Sequence, residues 1–344
     1  MAEGINILGI ETSCDETAAA VVRDGCQVLS SVVASSAQLH AKYGGVVPEI
    51  ASRAHIENIY PVITEALEVA GVGKEQVHAI AVANRPGLTI ALMVGVTAAK
   101  TLAFAWERPL VAVNHLHAHL QSALLEQDDI ELPAVALVVS GGHTCLYEAR
   151  SALELRLLGR TLDDAAGEAF DKVASILRLP YPGGPSIEQA AKEGNPNAIP
   201  FPRTMLGPDS LDFSFSGIKT AVLYYCRGQD MKGQDMVATM DRSQIADIAA
   251  SFQAAVVEVL VEKTCRAAEL VGARTVLLGG GVAANSYLRS EMARMCQQSN
   301  PPRTLVVAQK RYCTDNAVMV ASLGYHLFKA GMWADLDLEV SANG

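Results

Sequence analysis

The chain has few charges, no basic excess and no paired cysteines. Charged residues make up 19% of its 344 residues and half the chain is apolar. That composition excludes a solvated, disordered chain and supplies a large core, with two domains or lobes expected at this length. Acidic residues outnumber basic ones by 37 to 27, for a net charge of −10. Such a chain is a poor stand-alone binder of nucleic acid, because phosphate contacts need Lys and Arg. An RNA substrate would require a local basic patch or a partner. Cys14, Cys26, Cys145, Cys226, Cys265, Cys296 and Cys313 are odd in number and form no Cys-x-x-Cys pair. They read as reduced thiols of a cytoplasmic protein, not as a disulfide framework.

Several signatures are missing as well. There is no P-loop and no Gly-x-Gly-x-x-Gly, which excludes the two commonest phosphate loops. No Gly-x-Ser-x-Gly elbow occurs, so a serine hydrolase of that type is rejected. The opening residues lead straight into a strand-like run, and no signal peptide is read there. The one stretch read as long and apolar enough for a membrane span is 88–106. It carries Lys100 and lacks a basic flank, so a buried helix of a soluble protein, with no membrane, is expected.

What is present alternates in an orderly way. Strand-like runs at 5–10, 18–23 and 27–34 precede a helical segment at 48–70, a strand at 78–83, a helix at 89–106 and a short strand at 111–113. A second series has strands at 134–139, 144–149 and 155–160. Helical segments follow at 165–177, 187–193, 216–226 and 244–271, then strands at 275–278 and 304–306 and a last helix at 316–329. Thr314 and Asp315 are both good N-caps for that helix, and Asp163 or Asp164 for the one at 165–177. Residues 180–214, rich in Pro, Gly, Asn and Asp, read as a long loop. Each series is three strands followed by alternating helix and strand. This predicts two related α/β lobes with a nucleotide-binding cleft between them.

The turns carry the chemistry. In Asn114-His115-Leu116-His117-Ala118-His119, a helix would set His115 and His119 about 40° apart, one turn from each other, able to share a transition-metal ion. His117 falls on the opposite face. Buried or capping histidines are the plain alternative. Glu11-Thr12-Ser13-Cys14-Asp15-Glu16-Thr17 packs three carboxylates into one hairpin, where they repel unless something cationic lies near. Ser140-Gly141-Gly142-His143 and Gly279-Gly280-Gly281 are glycine turns at strand ends, suited to backbone approach to an anion or a nucleotide, though equally to tight packing. Asp171 and the Gly183-Gly184 turn could meet a ligand hydroxyl or backbone.

Taken together, Glu11 to Thr17 (ETSCDET), Asn114 to His119 (NHLHAH), Val139 to Thr144 (VSGGHT), Asp163 to Lys172 (DDAAGEAFDK), Gly279 to Asn285 (GGGVAAN) and Cys313 to Ala317 (CTDNA) resemble the TsaD family. The family is also called Gcp, YgjD or the KEOPS catalytic subunit. The match covers essentially the whole chain in order. The resemblance implies an α/β, two-lobed actin-like, sugar-kinase-type ATPase (ASKHA) fold with duplicated ribonuclease-H-like lobes and a central cleft. Residues 1–114 with 305–344 would form one lobe and 115–304 the other.

The resemblance also implies transfer of threonylcarbamoyl from threonylcarbamoyl-AMP to N6 of adenosine 37 in tRNAs reading ANN codons. It assigns one divalent metal, Fe(II) or else Zn(II), to His115, His119 and Asp315. The adenylate falls to Val138, Val139, Ser140, Gly141, Gly142, Asp171, Gly184 and Asn285, with Glu188 standing where the family often has aspartate. A tyrosine ligand of the archaeal form has no counterpart, since Val138 stands there. A ligand set joining residues so far apart in sequence would tie the two lobes together. Asp15 or Glu16 would take the proton of the attacking amine. Lys42, Arg53, Lys172, Arg203 and Lys219 are candidates for RNA contact. A TsaB-like paralogue and a TsaE-like ATPase are the implied partners. The rivals are a metalloprotease, which lacks His-Glu-x-x-His here, and an ASKHA-fold kinase or nucleotide-binding scaffold.

Overall fold

The run Asn-Ile-Leu-Gly-Ile-Glu offers apolar side chains to both faces of a strand, as a strand covered on both sides requires. It forms β1 (Asn6–Glu11), buried along its whole length. The computed structural model describes residues 4–125, 127, 130–207, 209–228 and 236–343. Around β1 lie β2 (Glu16–Arg23), β3 (Gln27–Ser35), β4 (Val77–Arg85) and β5 (Leu110–Asn114), in the order β3-β2-β1-β4-β5. The pairs β1–β2 and β2–β3 are antiparallel, and β1–β4 and β4–β5 are parallel.

Each face of this sheet has its own core. Leu8, Ile10, Val21, Ile80 and Val82 pack beneath α2 (Pro48–Ala70) and α3 (Thr89–Trp106), which follow the single-turn α1 (Ala37–His40). Ile7, Ala18, Ala20, Ala81 and Val111 face α4 (His115–Leu124) and α10 (Ala317–Lys329). Gly9 lies on that second face. A Cβ there would sit 2.4 Å from the Ala317 carbonyl oxygen, so only glycine lets the start of α10 lie directly on β1.

The second sheet repeats the plan. β6 (Ala134–Val139), β7 (Thr144–Ala149), β8 (Leu155–Arg160), β9 (Thr275–Gly279) and β10 (Thr304–Val307) stand in the order β10-β9-β6-β7-β8. Again the first strand is central, with two antiparallel strands on one side and two parallel strands on the other. Its helices are α5 (Ala166–Ile176), α6 (Gly183–Ala191), α7 (Ser216–Arg227), α8 (Arg242–Val271) and α9 (Ser286–Gln298). The 30-residue α8 opens on an Asp241–Gln244 capping box and ends on left-handed Gly272. Its Lys263 is fully buried, and Nζ donates to the carbonyls of Met205 and Ser210, both at 2.8 Å. The chain therefore has the two duplicated α/β units that the resemblance implies.

The contacts divide into Met1–Asp129 with Ala308–Gly344, and Ile130–Val307. Helix α4 follows β5 without a break and packs on α10. Both histidines and Asp315 thus lie in the first unit, whereas the expected boundary after residue 114 would separate the histidines from Asp315.

Other differences are local. The N-cap of α10 is Asn316, whose side chain accepts from Met319 N, not Thr314 or Asp315. Neither Asp163 nor Asp164 caps α5. Asp163 instead accepts from Phe215 N and from the Ser214 and Ser216 hydroxyls at the start of α7, a partner about fifty residues on that local spacing cannot show. Residues 180–214 are not all loop, since they contain α6. Besides Thr89–Trp106, α8 is also long and apolar enough to cross a membrane, but most of it is buried in the protein.

Candidate functional site

Helix α4 begins where Asn114 stops β5. The Asn114 side chain accepts from Leu116 N at 2.9 Å and His117 N at 3.2 Å, fixing His115 as the first helical residue. His119 follows one turn later, and the two rings meet edge to face with centroids 4.6 Å apart. Asp315, 196 residues beyond His119 in sequence, is carried in just ahead of α10. Its Oδ1 lies 3.1 Å from His119 Nε2 and 3.6 Å from His115 Nε2. One ligand atom from each of the three residues falls within 4.8 Å of the others. Two imidazole nitrogens and one carboxylate oxygen suit Fe(II) or Zn(II). His119 Nδ1 is buried and makes no hydrogen bond. His117 stands apart, its pKa lowered by burial and by the Arg85 charge.

Behind His115 lies Glu11, fully buried at the end of β1. Its Oε2 is 2.9 Å from His115 Nδ1, and its Oε1 accepts from Ser13 N at 2.5 Å. Burial opposes charge on His115, but Glu11 and Asp315 outweigh it and push its pKa up to about 9. His119 goes the other way. Burial lowers its pKa, and the neighbouring His115 adds to that against the pull of Asp315. Of the hairpin's three carboxylates, Glu11 is the one that lies beside an imidazole, that of His115.

The hairpin that carries Asp15 and Glu16 is held from several elements. Leu88 N donates to Ser13 O, His55 Nε2 meets Cys14 O at 3.0 Å, and Ser36 N and Oγ both donate to Asp15 O. Thr17 Oγ1 meets His55 Nδ1 at 2.8 Å. Partial burial raises the Asp15 pKa, and the Asp315 charge adds to it. Burial pushes Glu16 up to about 7, although its Oε1 accepts from Ser35 Oγ. Its Oε2 is buried and makes no hydrogen bond.

The residues expected to bind the adenylate all lie in the second unit, and a chain of contacts links them. Gly280, at φ +91°, turns so tightly after β9 that a Cβ would meet Val139 O at 2.4 Å. A Cβ on Gly167, at the start of α5, would meet Ser140 O at 2.5 Å and Gly141 at 2.8 Å. Asp171 Oδ1 accepts from Gly183 N at 2.7 Å, joining α5 to α6. Glu188 Oε1 accepts from Ser286 N at 3.0 Å and from the Ser286 hydroxyl, joining α6 to α9. Asn285 caps α9 through Leu288 N while its Nδ2 donates to Gln253 Oε1 at 2.8 Å. Gly141, Gly142 and Gly184 have nothing within 4 Å of their Cβ positions. Val138 and Val139 are fully buried. Val138 is paired on both sides, with Cys145 and Gly279.

The candidate RNA-binding cations are mostly engaged. Lys172 Nζ lies 2.7 Å from Asp164 and 2.8 Å from Glu168, Lys219 3.0 Å from Asp164, and Arg203 2.9 Å from Glu258. Lys42 sits over the exposed Tyr43 ring.

In the sequence Glu11 is only one of the hairpin's three carboxylates, with no role of its own, and His55 and Gln253 are not singled out. Only Glu11 left a signal. It continues the every-second-residue series Ile7, Gly9 that faces the core, where a carboxylate needs a partner.

The fold itself recurs in distant proteins. Component A of (R)-2-hydroxyglutaryl-CoA dehydratase from Acidaminococcus fermentans superposes with a TM-score of 0.52 at 16% identity, covering 95% of this chain and 99% of that one. Full-length HypF, in a phosphate- and nucleotide-bound form, superposes with a TM-score of 0.60 at 14% identity, covering 96% of this chain and 47% of HypF. Both support the two-lobed actin-like fold. Much nearer are proteins named tRNA N6-adenosine threonylcarbamoyltransferase. The one from Symbiobacterium thermophilum is 54% identical, over 98% of this chain and 96% of its own length. That from Moorella thermoacetica is 52% identical over the same shares. The family TsaD, described as tRNA N6-adenosine threonylcarbamoyltransferase, matches residues 27–322. With relatives half identical to it almost from end to end, the chain belongs to the TsaD family.

Proposed function

We propose that this protein transfers a threonylcarbamoyl group to the N6 amine of adenosine 37 in tRNAs that read ANN codons, with threonylcarbamoyl-AMP as donor. The observation that carries this reading is the end-to-end identity with relatives of that name. Convergence of His115, His119 and Asp315 supports metal assistance. Neither rival is favoured. A metalloprotease would need a glutamate next to the first histidine, where Leu116 stands, and a kinase would not need the histidine pair.

His115 and His119, through Nε2, and Asp315 are the residues to hold a divalent metal, Fe(II) in our reading and Zn(II) as the alternative. Such an ion, when bound, supplies Lewis-acid polarisation of a carbonyl or phosphoryl oxygen. The adenine amine is a weak nucleophile, so positioning contributes much of the rate. A carboxyl near pKa 7, such as Glu16, is suited to take the amine proton at neutral pH. Asp15, next to it, is the second candidate. In the other unit, the Ser140-Gly141-Gly142 turn presents open backbone to the donor phosphate. Asp171, Gly184, Glu188 and Asn285 are the candidates for ribose and base.

Partner proteins of the TsaB and TsaE kinds are part of this proposal. Exposed Ile56, Tyr60, Met93 and Phe104 on α2 and α3 are compatible with such an interface. A cytoplasmic location is consistent with a tRNA substrate.

The test is tRNA modification with an adenylate-forming enzyme and both partner proteins, read by mass spectrometry of nucleosides. Threonylcarbamoyladenosine should appear with the parent chain and not with His115→Ala/His119→Ala. Full activity of that double variant would sink metal assistance, and no product from the parent would sink the transfer itself. Metal analysis of protein purified without oxygen decides between iron and zinc.

A further inference from the structure

Period-two alternation along β1 sends Ile7, Gly9 and Glu11 to the face that α10 and α4 cover. Ile7 fills that face and Gly9 admits α10. Glu11 is a carboxylate in a position that otherwise holds core side chains. It is fully buried, and the ion pair it makes is with His115. Leaving such a charge in the core costs free energy unless it does something an apolar residue cannot.

Its geometry says what. Oε1 is fixed by Ser13 N at 2.5 Å, which orients Oε2 toward His115 Nδ1 at 2.9 Å. Ser13 Oγ approaches the same nitrogen at 3.1 Å. A carboxylate can only accept, so Nδ1 must carry the proton. That leaves the lone pair on Nε2, the nitrogen that faces Asp315. No corresponding restraint holds His119, whose Nδ1 has no hydrogen-bond partner.

We propose that Glu11 is a positioning residue for the metal centre, holding His115 in the Nδ1–H tautomer and aiming Nε2 at the site. This rests on the metal reading above. It makes the two histidines unequal: a carboxylate behind His115 holds its Nδ1, whereas no hydrogen bond holds Nδ1 of His119, whose polar contact is that of Nε2 with Asp315.

The experiment uses the full chain with Zn(II) alone as probe. Zinc affinity is measured by competition with a chelator for the parent, Glu11→Gln, Glu11→Ala and His115→Ala. The His115 Nδ1 proton is followed by NMR in zinc-loaded protein. Glu11→Gln preserves shape and should fold, so it carries the test if Glu11→Ala does not. The expected result is a zinc affinity weakened about 10- to 100-fold in Glu11→Gln, with the Nδ1 proton shifted upfield and exchanging faster with water. In Glu11→Ala that proton should be lost to exchange. Parent-like affinity and an unchanged Nδ1 proton in the Glu11 variants would overturn the role of Glu11 alone. A parent chain that fails to bind zinc or Fe(II) would overturn the metal reading, and this role with it.

Discussion

In the first unit the groups that converge are side chains on buried positions: Glu11 from a central strand, His115 and His119 from a helix start, Asp315 from the turn before another helix. In the second unit, built on the same strand order, turns do most of the converging. Gly280 sits against Val139, Gly167 against Ser140, and the open glycines 141, 142 and 184 leave backbone accessible. In the function proposed above, one topology serves two kinds of site. Imidazole and carboxylate suit a metal, and free backbone N–H suits a phosphate.

The strongest way to break that comparison is to remove the histidines. His115→Ala with His119→Ala should abolish metal retention, measured by elemental analysis, and transfer with it. AMP binding by the second unit, measured calorimetrically, should survive. Equal loss of both would mean that the two sites are not separable.

The reciprocal change is Gly167→Val. Its side chain would collide with the Ser140-Gly141 backbone, costing on the order of 1–3 kcal/mol in stability. AMP affinity should fall steeply while bound metal stays at the parent level. Unchanged AMP affinity would remove the Ser140 turn from the phosphate site.

A smaller effect concerns pH in metal-free protein. Glu16 is raised from 4.5 to about 7 in the folded state. Folded protein then holds a proton that the unfolded chain has released, so stability falls as pH rises from 4.5 through 7. Glu16→Gln should flatten that part of the Tm–pH curve relative to the parent. An identical slope would show that Glu16 is not the group responsible.

The smallest effect is structural. Asp163→Ala removes the long-range cap of α7 and should cost about 1 kcal/mol in denaturant unfolding, without changing bound metal.

Most strands and helices were legible because their patterns are local. β6, β7, β8 and α3 fall on the expected residues, and α2 also. The candidate metal ligands were legible as residue types in a helix-compatible spacing plus a distant aspartate named only through family resemblance. The capping role of Asp163 was not legible, nor was the bond from Glu188 to Ser286, because each joins elements far apart in sequence.

By itself the sequence determined the alternation of strands and helices, the glycines where backbone passes close, and the family. These follow from periodicity, turn chemistry and motif order, which need no knowledge of partners. Only the tertiary structure decided that His115, His119 and Asp315 share one unit instead of tying two, that Glu11 stands behind His115, and that Lys172, Lys219 and Arg203 are engaged in ion pairs. Which group faces a buried charge is set by how strands and helices pack across sequence separations that no local pattern records.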